Sequence, residues 1–200
     1  MRKGLVLVVS APSGAGKTTL CRRLLSLDPE ISFSISYTTR PPRPNEKNGF
    51  DYFFVDRDTF QKMIKEEVFL EWAEVHGNYY GTSLEQVKEA VSSGKDVLLD
   101  IDVQGAFQIR EKLGREAVLV FVLPPSFEEL ERRLKKRGTE DQRELEIRLS
   151  AAKEEIAKAQ AFDYLVVNDV LEDALDKLYS ILKAERQRTF RRSDLIMRFF

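Results

Sequence analysis

A chain of 200 residues, 42% of them hydrophobic, is long enough to bury one sizeable core, and a net charge of −1 supplies no basic surplus for a nucleic-acid groove or an anionic membrane. One cysteine, Cys21, excludes an internal disulfide framework, and one histidine, His76, leaves no His/Cys cluster for zinc. The opening run is too short for a signal peptide and lacks a cleavage site, and no apolar run approaches the roughly 18 residues of a membrane span. A cytoplasmic protein with neither nucleic-acid nor membrane partners is expected.

Leu5 to Val9 is an unbroken apolar run, which predicts a strand covered on both faces. It leads into A-P-S-G-A-G-K-T-T from Ala11 to Thr19, the pattern of a phosphate-binding loop between a strand and a helix. Gly14 and Gly16 let the backbone turn its N–H groups around phosphate oxygens at the positive end of the helix that follows. Lys17 supplies a mobile charge to the β/γ-phosphates of a nucleotide, and the Thr18 hydroxyl is offered to Mg²⁺. Ala11 stands where the full pattern has Gly, a change expected to restrict the backbone there. The alternative, an ordinary strand-turn-helix corner, does not need Lys17 and Thr18 together. The helix from Lys17 to about Leu27 stops at Asp28-Pro29, with Cys21 on its apolar side beside Leu20, Leu24 and Leu25.

From Ile31 the pattern changes to period two. Ile31, Phe33, Ile35 and Tyr37 alternate with Ser32, Ser34, Ser36 and Thr38, which predicts a half-exposed strand opening a small, largely antiparallel insertion. Its polar face carries Ser36, Thr38 and Arg40, and the turn P-P-R-P then presents Arg43. Two guanidinium groups beside a phosphate loop suit a second anion, although arginines in a turn are commonly just solvated. Further along, a strand over Phe69-Leu70-Glu71-Trp72-Ala73 would put Phe69, Glu71, Ala73 and Val75 on one face, leaving a carboxylate in an apolar row. Such a group needs donors, either structural ones or two adjacent N–H groups of a ligand.

The remaining chain alternates strands and helices. Asp96 to Ile101, Ala117 to Leu123 and Tyr164 to Val167 repeat the buried-strand signature. Ser83 and Ser126 each precede Gln or Glu by three residues, marking helix starts, and Gly94, Gly114 and Gly138 follow the helical patterns as stops. The expected fold is therefore α/β, a doubly wound parallel sheet whose ligands bind at the carboxyl ends of the strands. Lys135 to Arg148 is a charge run, read either as a solvated face or as a mobile lid whose arginines cover a transferring phosphate. The Arg-rich stretch Arg186 to Arg192 is read as a solvated helix end.

S-x-S-x-T-T-R-P-P-R, G-F-D-Y-x-F, F-L-E-W-A, G-N-Y-Y-G-T, L-D-I-D-V-Q-G, K-R-G-T-E, R-L-S-A-A and V-V-N-D follow the loop in order, and from about Lys3 to Arg188 the chain resembles the guanylate kinases. The resemblance implies a P-loop kinase core (1–34, 86–126, 149–188), a small mixed α/β GMP-binding insertion (35–85), a helical lid (127–148) and an unmatched tail (189–200). It also implies transfer of the γ-phosphoryl of ATP to GMP or dGMP with Mg²⁺, by a monomer or homo-oligomer. By motif position, Ser36, Glu71 and Thr82 would hold guanine; Arg40, Arg43, Tyr52 and Tyr80 the GMP phosphate; Asp100 and Asp102 the ribose, base or metal waters. Lys17, Arg137 and Arg148 would be catalytic. Ala11, Pro12, Ser13, Gly14, Ala15, Gly16, Lys17 and Thr18 would hold ATP, with Asn168 near the adenine. A non-catalytic binding module of the same likeness, and a kinase for another phosphorylated acceptor, remain as alternatives.

Overall fold

The computed structural model describes residues 2–75, 77–136 and 142–200; the expectations for His76, Arg137 and Gly138 lie outside those residues. The first half of the chain forms β1 (Val6–Ser10), α1 (Lys17–Leu27), β2 (Ile31–Phe33), β3 (Tyr37–Thr38), β4 (Phe53–Phe54), α2 (Arg57–Lys65), β5 (Phe69–Val75), β6 (Asn78–Ser83) and α3 (Leu84–Ser92). The second half forms β7 (Asp96–Asp100), α4 (Val103–Leu113), β8 (Ala117–Leu123), α5 (Phe127–Lys136), α6 (Gln142–Ala157), β9 (Tyr164–Val167), α7 (Leu171–Arg186) and a short α8 (Ser193–Ile196).

Five strands make one sheet in the order β2-β7-β1-β8-β9, every pair parallel. Because side chains alternate across a strand, the apolar run of β1 feeds two cores at once. Leu7 and Val9 pack with Leu20 and Leu24 of α1 and Leu178 and Leu182 of α7. Val6 and Val8 pack on the opposite face with Val87 of α3 and Ala106 and Ile109 of α4. The expected doubly wound architecture is thus present. Ser83 and Ser126 accept the backbone N–H groups of Gln86 and Glu129, so both helix starts are capped as their spacing predicted.

Four expectations need correction. The period-two stretch is two strands in two sheets: Ile31–Phe33 pairs with β7 at the edge of the parallel sheet, while Tyr37–Thr38 joins a second sheet of order β4-β3-β6-β5. Burial does not follow the period either: Phe33 is exposed while Ser34 and Thr38 are buried, because each short strand takes its inner face from its own sheet. Strand β9 reads as fully buried but is also an edge, and Leu165 is 57% exposed. A composition signal cannot tell an edge from a centre.

The third concerns Phe69. The register of β5 against β6 shifts between Phe69 and Glu71, so Leu70 is the extra residue of a β-bulge. Phe69 is thereby moved off the Glu71 face; it stacks on Phe60 of α2 and lies against Gly81. Glu71, Ala73 and Val75 keep the other face, which looks toward the parallel sheet's carboxyl ends.

The basic stretch near the C-terminus is no solvated helix end. Asp96, fully buried at the start of β7, accepts from the Leu5 N–H at 2.9 Å, Arg2 Nη1 at 2.6 Å and Arg186 Nε at 2.6 Å. Arg186 also donates Nη1 to Asp28 at 2.6 Å. Arg191 is 4% exposed and donates to the carbonyls of Arg115 and Glu116. Removing one partner of such a buried pair leaves a charge without compensation, so Arg186→Ala should lower the free energy of unfolding by about 3 kcal/mol. Urea denaturation checks this; a loss below about 0.5 kcal/mol, the size of an exposed ion pair, would mean the network adds nothing.

Candidate active site

At the carboxyl end of β1 the chain must reverse into α1, and the backbone does so through Gly14 and Gly16, at φ 92° and 89°. That conformation strains any residue with a Cβ. At Gly16 a Cβ would also lie 2.4 Å from Asn168 Nδ2. Ala11 is not among the residues with positive φ, so the smaller glycine is not required there.

The register of β1 against β7 sets Val9 opposite Asp100, which carries Asp100, Ile101 and Asp102 to the mouth of the loop. Asp100 then joins the two functional side chains of α1. Lys17 Nζ lies 2.7 Å from Asp100 Oδ1 and donates to the Ile101 carbonyl at 2.9 Å, and Thr18 Oγ1 donates to Asp100 Oδ2 at 3.2 Å. Burial pulls the Lys17 ammonium down, but Asp100 more than offsets it and the net shift is upward. Lys17 is therefore a fixed positive charge at neutral pH.

A cavity of about 430 Å³ opens between this loop and the second sheet. Ala11, Pro12, Ser13, Gly14, Gly16, Lys17 and Thr18 line one wall; Ser36, Arg40, Arg43, Tyr52, Glu71 and Tyr80 line the other; Asp100, Asp102 and Arg148 complete it. Three further residues from the sequence reading stand behind the lining. Ala15 is buried under the loop, Thr82 is buried behind Glu71, and the Asn168 amide donates to the Ala15 carbonyl at 2.7 Å, bracing the loop from below. A separate cleft on the far side of the loop is lined by Gly14, Gly16, Arg132, Arg133 and Lys136.

Glu71 is 3% exposed and accepts a hydrogen bond from the Thr82 hydroxyl. Burial pushes its carboxyl up to about 7; Asp102 adds to the rise and the Thr82 bond opposes it. Its position depends on a residue the sequence reading quoted without a role. Gly105, in the first turn of α4, leaves room for the carboxylate, since a Cβ there would come 2.4 Å from Glu71 Oε2. One turn on, Gln108 exchanges hydrogen bonds with the backbone of Trp72, and Lys112 donates to the Leu70 carbonyl, so α4 grips β5 on both sides of Glu71. Glu155 was also missed. It lines the cavity from α6, and burial lifts it to about 7, with Lys17 opposing and Asp102 reinforcing the rise. The signal was available: Arg148 and Glu155 are seven apart, two turns of one helix face.

A glycine loop at the central strand of a parallel sheet, with a small mixed sheet inserted after the next strand, defines the P-loop nucleoside monophosphate kinases as a class. A family model described as guanylate kinase matches residues 3–185. The chain is 48% identical over 199 residues to the guanylate kinase of Geobacter sulfurreducens, covering 100% of this chain and 98% of that one. To the guanylate kinase of Nitrosomonas europaea it is 53% identical over 184 residues, covering 92% and 91%. The crystal structure of guanylate kinase from Anaplasma phagocytophilum matches with a TM-score of 0.81 at 38% identity, over 96% of this chain and 90% of that chain. The chain belongs to the guanylate kinase family.

Glu71 has a consequence for stability. Its folded pKa of about 7 exceeds the ordinary 4.5 of a glutamate, so between these pH values the folded chain holds a proton that the unfolded chain releases. Stability from this group is present below 4.5 and lost as pH rises toward 7. Relative to wild type, Glu71→Gln should gain up to about 1.4 kcal/mol of unfolding free energy per pH unit across that window. Urea unfolding at several pH values measures the difference, and parallel profiles would show that Glu71 ionises normally.

Proposed function

We propose that the protein transfers the γ-phosphoryl group of ATP reversibly to GMP, and to dGMP, giving ADP and GDP, in the cytoplasm and with Mg²⁺ bound alongside ATP. In this reading residues 35–85 are the GMP-binding insertion, 127–148 the lid and 189–200 a tail outside the catalytic unit. The observation that carries it is Glu71, a buried carboxylate on the wall of a cavity whose opposite wall is a phosphate loop. Guanine presents N1–H and a 2-amino group side by side, two donors that one carboxylate accepts together. Adenine has an acceptor at N1 and no 2-amino group, so it would supply the buried Glu71 with neither donor. Ser36 and Thr82 flank that contact.

The chemistry asks for charge cancellation more than for proton transfer. The acceptor is a phosphate with a second pKa of about 6, already largely ionised at neutral pH, so no general base is needed. Two anions must be aligned against their repulsion. Arg40, Arg43, Tyr52 and Tyr80 would take the acceptor phosphate, and the loop N–H groups with Lys17 the phosphates of ATP. Arg148 and Arg137 would neutralise the moving phosphoryl. Asp100 and Asp102 would hold the ribose or the metal's waters, and Asn168, bound to Ala15, would steady the loop beside the adenine.

Thr18 and Asp100 suit Mg²⁺, because their oxygens converge within 3.2 Å and this ion takes few protein ligands, completing its shell with phosphate and water oxygens. Among the described residues no group of three or more His, Cys, Asp or Glu could hold a metal by itself, which suits a metal that arrives with the nucleotide. Bound there, Mg²⁺ would neutralise charge on the β- and γ-phosphates.

A coupled assay with ATP, Mg²⁺ and a panel of nucleoside monophosphates tests the proposal: GMP should be the preferred acceptor, and absence of turnover would leave a binding module instead. Lys17→Ala should abolish nearly all turnover while GMP binding is largely kept; activity within about tenfold of wild type would sink the loop's assigned role. Glu71→Gln can accept only one guanine donor, and its own amide opposes the other. Its kcat/KM for GMP should fall at least about tenfold while any activity with AMP holds or rises. An equal fall for both nucleotides would make Glu71 purely structural.

A further inference from the structure

Arg40 is held far more firmly than its neighbour Arg43. Its Nη1 donates to the Pro41 carbonyl at 2.8 Å and its Nη2 to Glu46 Oε1 at 2.8 Å. The guanidinium centre lies 5.4 Å from the Tyr52 ring and 5.8 Å from the Phe54 ring. Glu46 also closes the turn that carries both arginines, since its Oε2 accepts the Arg43 backbone N–H at 2.8 Å and its own N–H donates to the Arg43 carbonyl at 3.0 Å. The side chains of Arg40 and Glu46 are both 15% exposed, whereas that of Arg43 is 75% exposed and reaches only 3.9 Å from Glu46. Arg40 beside it holds the Glu46 carboxyl below its usual range, so the pair is ionised at neutral pH.

We propose that Glu46 is a positioning residue for the phosphorylated acceptor: it fixes Arg40 and the 41–46 turn so that the guanidinium's unused N–H donors face the cavity. The inference rests on the proposed function, in which Arg40 meets the GMP phosphate. A guanidinium has more donors than these two bonds consume, and their fork matches a phosphate only when its plane is held. An electrostatic role would carry the opposite sign. A carboxylate beside a phosphate repels it, so if charge were all that Glu46 contributed, its removal would tighten binding. A positioning role predicts weaker binding.

The experiment is steady-state kinetics of Glu46→Gln, Arg40→Ala and the double variant, with GMP and ATP varied separately and thermal melting as a fold check. Glu46→Gln should raise KM for GMP on the order of tenfold, with kcat within about twofold and KM for ATP unchanged, the mark of lost binding rather than lost chemistry. Added to Arg40→Ala it should have no further effect, because it acts through that residue. The inference fails if KM for GMP falls or stays put, if KM for ATP rises equally, or if the same factor appears in the Arg40→Ala background. Absence of GMP turnover in the wild type overturns the proposed function and this inference together, whereas normal turnover with an unmoved KM overturns the inference alone.

Discussion

The cavity depends on the parallel register of two neighbouring strands. With Val9 opposite Asp100, the loop after β1 and the acidic segment after β7 leave the sheet at the same level. Lys17, Thr18 and Asp100 meet only because of that alignment. A shift of one residue would turn Asp100 to the other face of the sheet and leave the Lys17 ammonium half-buried without a counter-charge. The apolar filling on both faces sets the register, so the geometry of the site is a property of the core.

Opposite charges are interleaved along the cavity wall. Lys17, Arg40, Arg43 and Arg148 share it with Glu71, Asp100, Asp102 and Glu155. Two of the cations lean on protein carboxylates: Lys17 on Asp100, and Arg40 on Glu46 just behind the wall. This arrangement keeps buried charge compensated before a nucleotide arrives. It also shares the donors of Lys17 and Arg40 with internal partners, which any incoming phosphate must match. Among the described residues no ion pair of this kind is seen for Glu71 or Glu155, and both are pushed up to about 7 by burial.

What was legible in the sequence was whatever repeats locally. The unbroken run of β1, the caps at Ser83 and Ser126 and the glycine loop each declare themselves within a few residues, because period, cap and turn are set by nearest-neighbour sterics. The Phe69 parity failed because a bulge inserts one residue without changing composition. Leu165 misled because edge and centre strands share the same apolar residue types. Gly105 and Arg191 stayed silent for a deeper reason: each matters through a group far away in sequence, Glu71 in one case and the Arg115 and Glu116 carbonyls in the other. Family motifs named most of the cavity's lining in advance, since they carry long-range information that no window of local pattern contains.

The Asp96 network bears on how such a chain comes off the ribosome. β1 is made first, yet its sheet neighbours, β7 and β8, follow about ninety and more residues later, and the Leu5 N–H waits for Asp96. Asp96 in turn waits for Arg186, another ninety positions on. A nascent chain must therefore carry the apolar β1 without either sheet neighbour until some ninety further residues are made, and the Asp96 network closes only when α7 emerges. The interval between β1 and α7 is where this protein is most exposed to aggregation, and where a chaperone that shields Leu5 to Val9 would have its use.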